Sequence, residues 1–352
     1  MSLETNLDKT IERYIPELEQ ELQAILQSEA AASAPDVEPL YGILRYHLGW
    51  ADEKLQPTRA PSGKRLRPAL CLLSCEACGG DYHQALDIAA AIEFIHNFTL
   101  IHDDIQDQSP LRRHRPSVWA LWGEAQAINA GDALYSIAAL APLRAVARGV
   151  RAETTLLAAE TLHSTLLLVC EGQYMDVAFE KRNDVTPEMY LAMIERKTAS
   201  LIACSTQLGA YVATEDDAIS ATFRRFGHAL GMAFQIQDDI LGIWGDAATT
   251  GKPVGDDIYH RKKTLPVLYA LDVGASADTV RLRQILGRAE ITVEDVEEAT
   301  AILSRLGAKE YASRSAQQWF DLALDSLLAA HPLEPSGSLL RELAKSLMGR
   351  TS

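Results

Sequence analysis

The stretch EFIHNFTLIHDDIQD, residues 93–107, opens on mostly apolar residues and closes on Asp103, Asp104 and Asp107. It lacks the strict alternation of a half-buried strand and reads as a helix that carries carboxylates at its end. On that helix Asp103 and Asp107 stand at i,i+4 and Asp104 and Asp107 at i,i+3. All three can crowd one face, where like charges repel. A divalent cation removes that penalty, and an oxygen-only set suits Mg²⁺, which takes one or two carboxylates with water and phosphate oxygens. His96, seven residues before Asp103, falls on the same face and reads as a site residue. His102 faces elsewhere on the wheel and reads as structural.

Outward from this segment, the same three-to-four-residue apolar spacing runs through Leu3–Ser28, Leu86–Asp107, Glu153–Gln173, Pro187–Thr214 and Ala221–Trp244. The fold class predicted is all-α, one helical domain over residues 1–352, without sheet. Gly, Pro and polar residues mark breaks at 31–39, 56–63, 108–116, 183–187 and 247–255, and the tail at 331–337 sets off a final helix. Apolar residues make up 47% and charged residues 23% of the chain, enough for a core and a solvated surface. The formal charge of −15 disfavours nucleic acid and anionic membranes as partners, so an anionic substrate needs local basic patches. No apolar run approaches the roughly 20 residues of an integral membrane segment, and Met1-Ser2-Leu3-Glu4 lacks a signal-like start. A cytoplasmic location is expected. The odd count of five cysteines fits a reducing compartment, and Cys71, Cys75 and Cys78 read as small buried hydrophobes rather than a metal site.

A second acidic pair, Asp238-Asp239, again closes an apolar helical stretch, with Gln235 one turn before it. A third pair, Asp216-Asp217, reads as a solvated turn. The basic complement is more discriminating: GKRLRP at 63–68, Arg112-Arg113, Lys197-Thr198, Lys252 and Lys262. Arginine suits bidentate phosphate contacts and lysine supplies a point charge. Combined with the carboxylates, these residues describe room for two diphosphates, one held through metal and one by bare cations.

With these motifs in order, the sequence resembles the trans-polyprenyl diphosphate synthases, the family of farnesyl and geranylgeranyl diphosphate synthases. The match also takes in Asn129-Ala130-Gly131-Asp132, Gly172-Gln173 with Asp176, Gly251-Lys252 and Lys262-Lys263-Thr264-Leu265-Pro266. The resemblance implies a bundle of mostly antiparallel helices around a central cavity, of the isoprenoid synthase type, as a homodimer. It implies that Asp103, Asp104, Asp107, Asp238 and Asp239 hold three Mg²⁺ around an allylic diphosphate. Arg112, Lys197, Thr198, Gln235, Lys252 and Lys262 are then expected to bind that diphosphate, and Lys64, Arg67, His96 and Arg113 to bind isopentenyl diphosphate. Gln173, Asp176 and Asp257 are expected to act one layer further out.

Ionisation of the allylic diphosphate, attack by the isopentenyl double bond and loss of a proton complete the implied reaction. The resemblance also points to Phe98 and Thr99, just before the first acidic motif, as residues that set product length. One aromatic there suggests the twenty-carbon geranylgeranyl product, with fifteen-carbon farnesyl next, although an ideal wheel puts Thr99, not Phe98, nearer the Asp103 face. Two positions depart from the family pattern. Gly242 stands where most members have a third aspartate, with Asp246 and Asp257 nearby, so altered metal affinity is expected; His114 replaces a glycine after the arginine pair, which puts that loop's geometry in question. Two other readings compete. A class I terpene cyclase needs no second diphosphate site, and a non-catalytic partner subunit would not need five intact aspartates.

Overall fold

The computed structural model describes residues 12–245 and 254–349; Lys252 and Asp246 lie outside the described residues. The helix Leu86–Gln106 is the axis of the fold. Each residue from Ile88 to Ile95 is at most 2% exposed, because Ile, Ala and Phe occupy all faces of these turns rather than one stripe. Only near its C-terminal end does polarity return, and that end carries the acidic motif. Helices Leu66–Ala77, Glu124–Leu140, Ala152–Glu180 and Ser200–Thr214 pack around it. Asp217–Trp244 and Ala308–Ala329 pack against each other further out. The final helix, Ser336–Met348, buries Leu340, Leu343, Ala344 and Leu347 in the same apolar cluster. No helix among the described residues is long and apolar enough to cross a membrane.

Three local features refine the sequence reading. Asp216 is a helix cap: its Oδ1 accepts the N–H groups of Ala218 and Ile219 at 2.7 and 3.0 Å, satisfying donors at the start of Asp217–Trp244. A two-residue pairing, Leu111–Arg112 against Arg115–Pro116, interrupts the helices where no sheet was expected. Its turn, Arg113-His114, has φ of 52° and 62°, the left-handed pair that suits a tight antiparallel return. The family's glycine is at home in such a turn; His114 adopts the conformation without it.

The third feature lies in the Pro187–Thr214 segment, which is helical throughout but widens to a π-helix over Glu195–Ala199. One extra residue per turn re-aims Lys197 and Thr198, as such bulges do at many functional sites. The Ala152–Glu180 helix approaches this bulge at Gly172, where a β-carbon would lie 2.7 Å from Cα and 2.8 Å from Cβ of Lys197. No side chain fits there. Gly172→Ala is expected to cost about 1–3 kcal/mol through overpacking, read as a lower urea midpoint, and to displace Lys197; unchanged stability would mean the two helices part without loss.

Candidate active site

At the end of Leu86–Gln106 the three aspartates do not share one face. Asp103 and Asp107 point together, whereas Asp104 is only 1% exposed and turned inward. Arg112 holds it, donating from Nε to Oδ1 at 2.9 Å and from Nη2 to the same oxygen. The chain reverses after Asp107, where Gln108 takes φ 50° and the Ser109 N–H donates to the Asp104 carbonyl at 2.9 Å, and this brings Arg112 back to the helix end. Asp104 Oδ2 is left buried without a hydrogen-bond partner. Burial, with Asp107 and Asp176 adding repulsion against the opposing pull of Lys197, pushes Asp103 up to about 6. Burial raises Asp107 as well, against the pull of Lys197 and Lys262.

Lys197 rises from the π-helix and pairs with Asp176 at 2.5 Å. Gln173, one helical turn earlier, donates to Gln106 at 2.7 Å, while its own buried Oε1 lacks a partner. On the second wall Asp239 is 3% exposed and receives Tyr190 Oη at 2.6 Å, Gln235 Nε2 at 3.1 Å and the Leu265 N–H at 3.3 Å. Burial first, then the nearby charge of Asp257, lifts it to about 7 in spite of these donors. Thr198 donates to Gln235 Oε1 at 2.9 Å, so Thr198 and Gln235 form a relay that fixes Asp239. Asp238, one residue earlier, is half-buried. Lys262 stands beside Asp257 at 3.3 Å, and its charge is felt at Asp107 on the opposite wall.

The basic set forms a separate pocket. Arg67 Nη1 lies 3.4 Å from His96 Nε2, and Gly63, followed by exposed Lys64, packs against the guanidinium of Arg113. The nearest buried acid, Glu93, is already taken, by Arg65 Nη1 at 2.6 Å and Asn97 Nδ2 at 2.6 Å. Arg67 Nε and Arg113 Nη1 are consequently buried without partners. Burial drives Arg113 down to about 10 and, with Arg67 and Arg113 beside it, drives His96 well below the usual histidine range. Buried cationic donors left unpaired are costly, and an anion in this pocket would satisfy them.

Sequence reasoning missed several contributors. His47, at the end of Glu38–His47, is 8% exposed and its Nε2 is also unpartnered. Burial and then Arg113, Arg112 and Arg65 hold it neutral, so it joins the basic pocket from a segment with no acidic or basic motif. Tyr190, which fixes Asp239, precedes Lys197 by two turns and looked like an ordinary core residue. Arg65 was read only as part of a basic run; it is 3% exposed and bridges Glu93 and Glu19.

Phe98 and Thr99 separate clearly. The Phe98 ring packs on His102 at 5.7 Å and on Tyr135 of Glu124–Leu140 at 5.6 Å, away from the acidic face. Thr99 lies one turn before Asp103 on its face, its hydroxyl donating to the His96 carbonyl at 2.8 Å.

Comparison with known proteins identifies the family. Residues 49–303 match the model of the polyprenyl synthetase family. A geranylgeranyl diphosphate synthase of Mycobacterium tuberculosis is 42% identical over 291 residues, 82% of each chain. A (2E,6E)-farnesyl diphosphate synthase of Mycobacterium bovis is 36% identical over 311 residues, covering 88% of this chain and 85% of that one. The solved geranylgeranyl pyrophosphate synthase of Corynebacterium glutamicum, complexed with isoprenyl diphosphate and magnesium, superposes with a TM-score of 0.82 at 28% identity over 98% of this chain and 99% of that one. The chain belongs to the polyprenyl synthetase family, and its all-α architecture is that of the solved relative.

Proposed function

We propose that this protein is a short-chain trans-prenyltransferase that condenses isopentenyl diphosphate with an allylic diphosphate to give geranylgeranyl diphosphate. The observation that carries this reading is the pairing of two features: walls of carboxylates, and a basic pocket in which Arg67 Nε and Arg113 Nη1 are buried without a hydrogen-bond partner. A class I terpene cyclase needs only the first. Magnesium fits the walls by donor type, since the acids offer oxygen alone. Mg²⁺ typically takes one or two carboxylates, with water and substrate oxygens completing its shell. Three ions, shared between Asp103 and Asp107 on one wall and Asp238 and Asp239 on the other, would match a diphosphate bound between them. Magnesium bound there supplies Lewis-acid stabilisation of the departing diphosphate.

The chain's own residues then have distinct duties. Arg112 pairs with buried Asp104, directly before Arg113 in the chain. Lys197 and Lys262 offer cationic contacts to the allylic diphosphate, as does Lys252 by its place in the sequence motif. Thr198, Gln235 and Tyr190 hold Asp239 in one orientation. Lys64, Arg67, His96 and Arg113 bind the homoallylic diphosphate. Incubation with labelled isopentenyl diphosphate, each allylic primer and Mg²⁺ tests the reading. Asp103→Ala and Asp239→Ala are expected to lower kcat by about 10³-fold or more, whereas Arg113→Gln raises KM for isopentenyl diphosphate with little change for the allylic primer. Near-normal turnover in either aspartate variant, or equal losses for both substrates in Arg113→Gln, would overturn the assignment.

Product length follows from the helix phase. Because Thr99 shares the Asp103 face, a ring there lies under the allylic diphosphate and blocks the growing chain. Thr99→Phe is expected to shorten the product to fifteen carbons or fewer by chromatography. Phe98→Ala, which opens space towards Tyr135, lengthens it only if the hydrocarbon reaches that side.

The homodimer reading has support on one surface. Leu156, His163, Leu167 and Tyr174 recur at heptad-compatible spacing along Ala152–Glu180, and Leu156, Leu167 and Tyr174 are 64, 63 and 77% exposed. Ile128 and Tyr135 form a parallel stripe on Glu124–Leu140, joined to the first by the Tyr135–His163 ring contact at 5.9 Å. Such a continuous apolar surface is what a second copy would cover. Light scattering is expected to give twice the chain mass, and Leu167→Glu with Tyr174→Glu to halve it.

A further inference from the structure

The last carbonyls of a helix have no acceptor role left within it, and at the end of Ala152–Glu180 they are met by a side chain from far along the chain. Lys263 Nζ donates to the carbonyls of Phe179 and Arg182 and, at 3.1 Å, to that of Glu180. An ammonium has three donors and no acceptor, so these three oxygens saturate it. Its positive charge also faces the negative end of the helix dipole. The oxygens are gathered by the turn itself: the Arg182 N–H donates to the Phe179 carbonyl at 3.1 Å, and the Arg182 guanidinium is held by Asp184 at 2.9 and 2.7 Å.

The residues on either side of Lys263 serve the second wall. Lys262 pairs with Asp257 at 3.3 Å and its charge is felt at Asp107, while the Leu265 N–H donates to Asp239 at 3.3 Å. On the capped helix, Asp176 lies one turn before Glu180 and holds Lys197 at 2.5 Å. Phe179 and Leu265, 4% and 0% exposed, share an apolar cluster with Tyr190 and Ile236. Such packing is non-directional and fixes no register by itself. Three hydrogen bonds converging on one nitrogen do fix it, because each depends on angle as well as distance.

We propose that Lys263 is a positioning residue of the allylic diphosphate site: by gathering the carbonyls at the end of Ala152–Glu180, it sets residues 262–265 against the helix that carries Asp176, and so holds Lys262 and the Leu265 N–H at the second wall. The two adjacent lysines thereby divide their duties, one charge facing the substrate and one spent on the protein. The inference rests on the two-wall magnesium reading above.

Lys263→Met keeps the stem and removes the charge and the donors. It is expected to melt below wild type and, at temperatures where it is folded, to bind Mg²⁺ with inorganic pyrophosphate about tenfold more weakly by calorimetry. KM for the allylic primer is expected to rise while KM for isopentenyl diphosphate stays unchanged, since Lys64, Arg67, His96 and Arg113 stand on other segments. A lysine that only stabilised the fold would lower the melting temperature and leave that split unmoved. Lys263→Gln, which keeps two donors without the charge, is expected to lose less in the same direction, and carries the comparison if Lys263→Met does not fold. The inference is overturned if the folded variant binds magnesium and pyrophosphate like wild type, or if KM rises equally for both substrates. Asp103→Ala in the same calorimetry separates the two ideas: if it too binds like wild type, the two-wall reading fails, whereas a loss there with a silent Lys263 variant defeats this inference alone.

Discussion

A carboxylate loses hydration when it is buried, and it stays ionised only where a cation or hydrogen-bond donors replace the lost water. Much of this fold is arranged around that cost. The end of Leu86–Gln106 and the end of Asp217–Trp244 bring acids together from opposite sides, and Asp103 and Asp239 are pushed up to about 6 and about 7 by burial. Within the protein the compensation is partial. Among the described residues, Arg112 meets one oxygen of Asp104, Lys197 meets Asp176, and Tyr190 meets Asp239.

The basic pocket inverts the same logic. Arg65 and Arg67 are two residues apart near the start of Leu66–Ala77, yet they have opposite fates. Arg65, in a left-handed conformation at φ 50°, is spent on Glu93 and Glu19 and knits three segments together. That engagement uses up Glu93, so Arg67 Nε and Arg113 Nη1 stay buried without a partner. A structural ion pair thereby leaves unpartnered cationic donors next to it. Asn97 serves both sides, donating to Glu93 and accepting from Arg113 at 3.4 Å, which ties Arg113 to the Arg65–Glu93 pair.

The helices and the two acidic walls were legible in the sequence because they depend on local periodicity and on residue types with few other uses. What escaped depends on phase and on long-range approach. An ideal wheel puts Asp104 within reach of the Asp103 face, and only the reversal of the chain after Asp107, which brings Arg112 back to the helix end, shows that it turns to Arg112. The π-helix at Glu195–Ala199 leaves no mark in composition. His47 and Tyr190 sit in ordinary helical segments, and only tertiary packing gives them charged neighbours.

Glycines 172 and 242 show why a motif can be read correctly and its reason still be hidden. Each appears in a family pattern, one as a fixed partner of Gln173 and one as a departure from an aspartate. Neither adopts a left-handed backbone, so conformational freedom does not explain them. Both sit where another segment occupies the place of a β-carbon: the Lys197 backbone at 172, the Asp257 carboxylate at 242. In a helical bundle a missing side chain is the means by which a second element comes close enough to place a functional group. The position of a glycine therefore says that something approaches, while its identity, a lysine backbone in one case and an acid in the other, is set by residues 25 and 15 positions further along the chain.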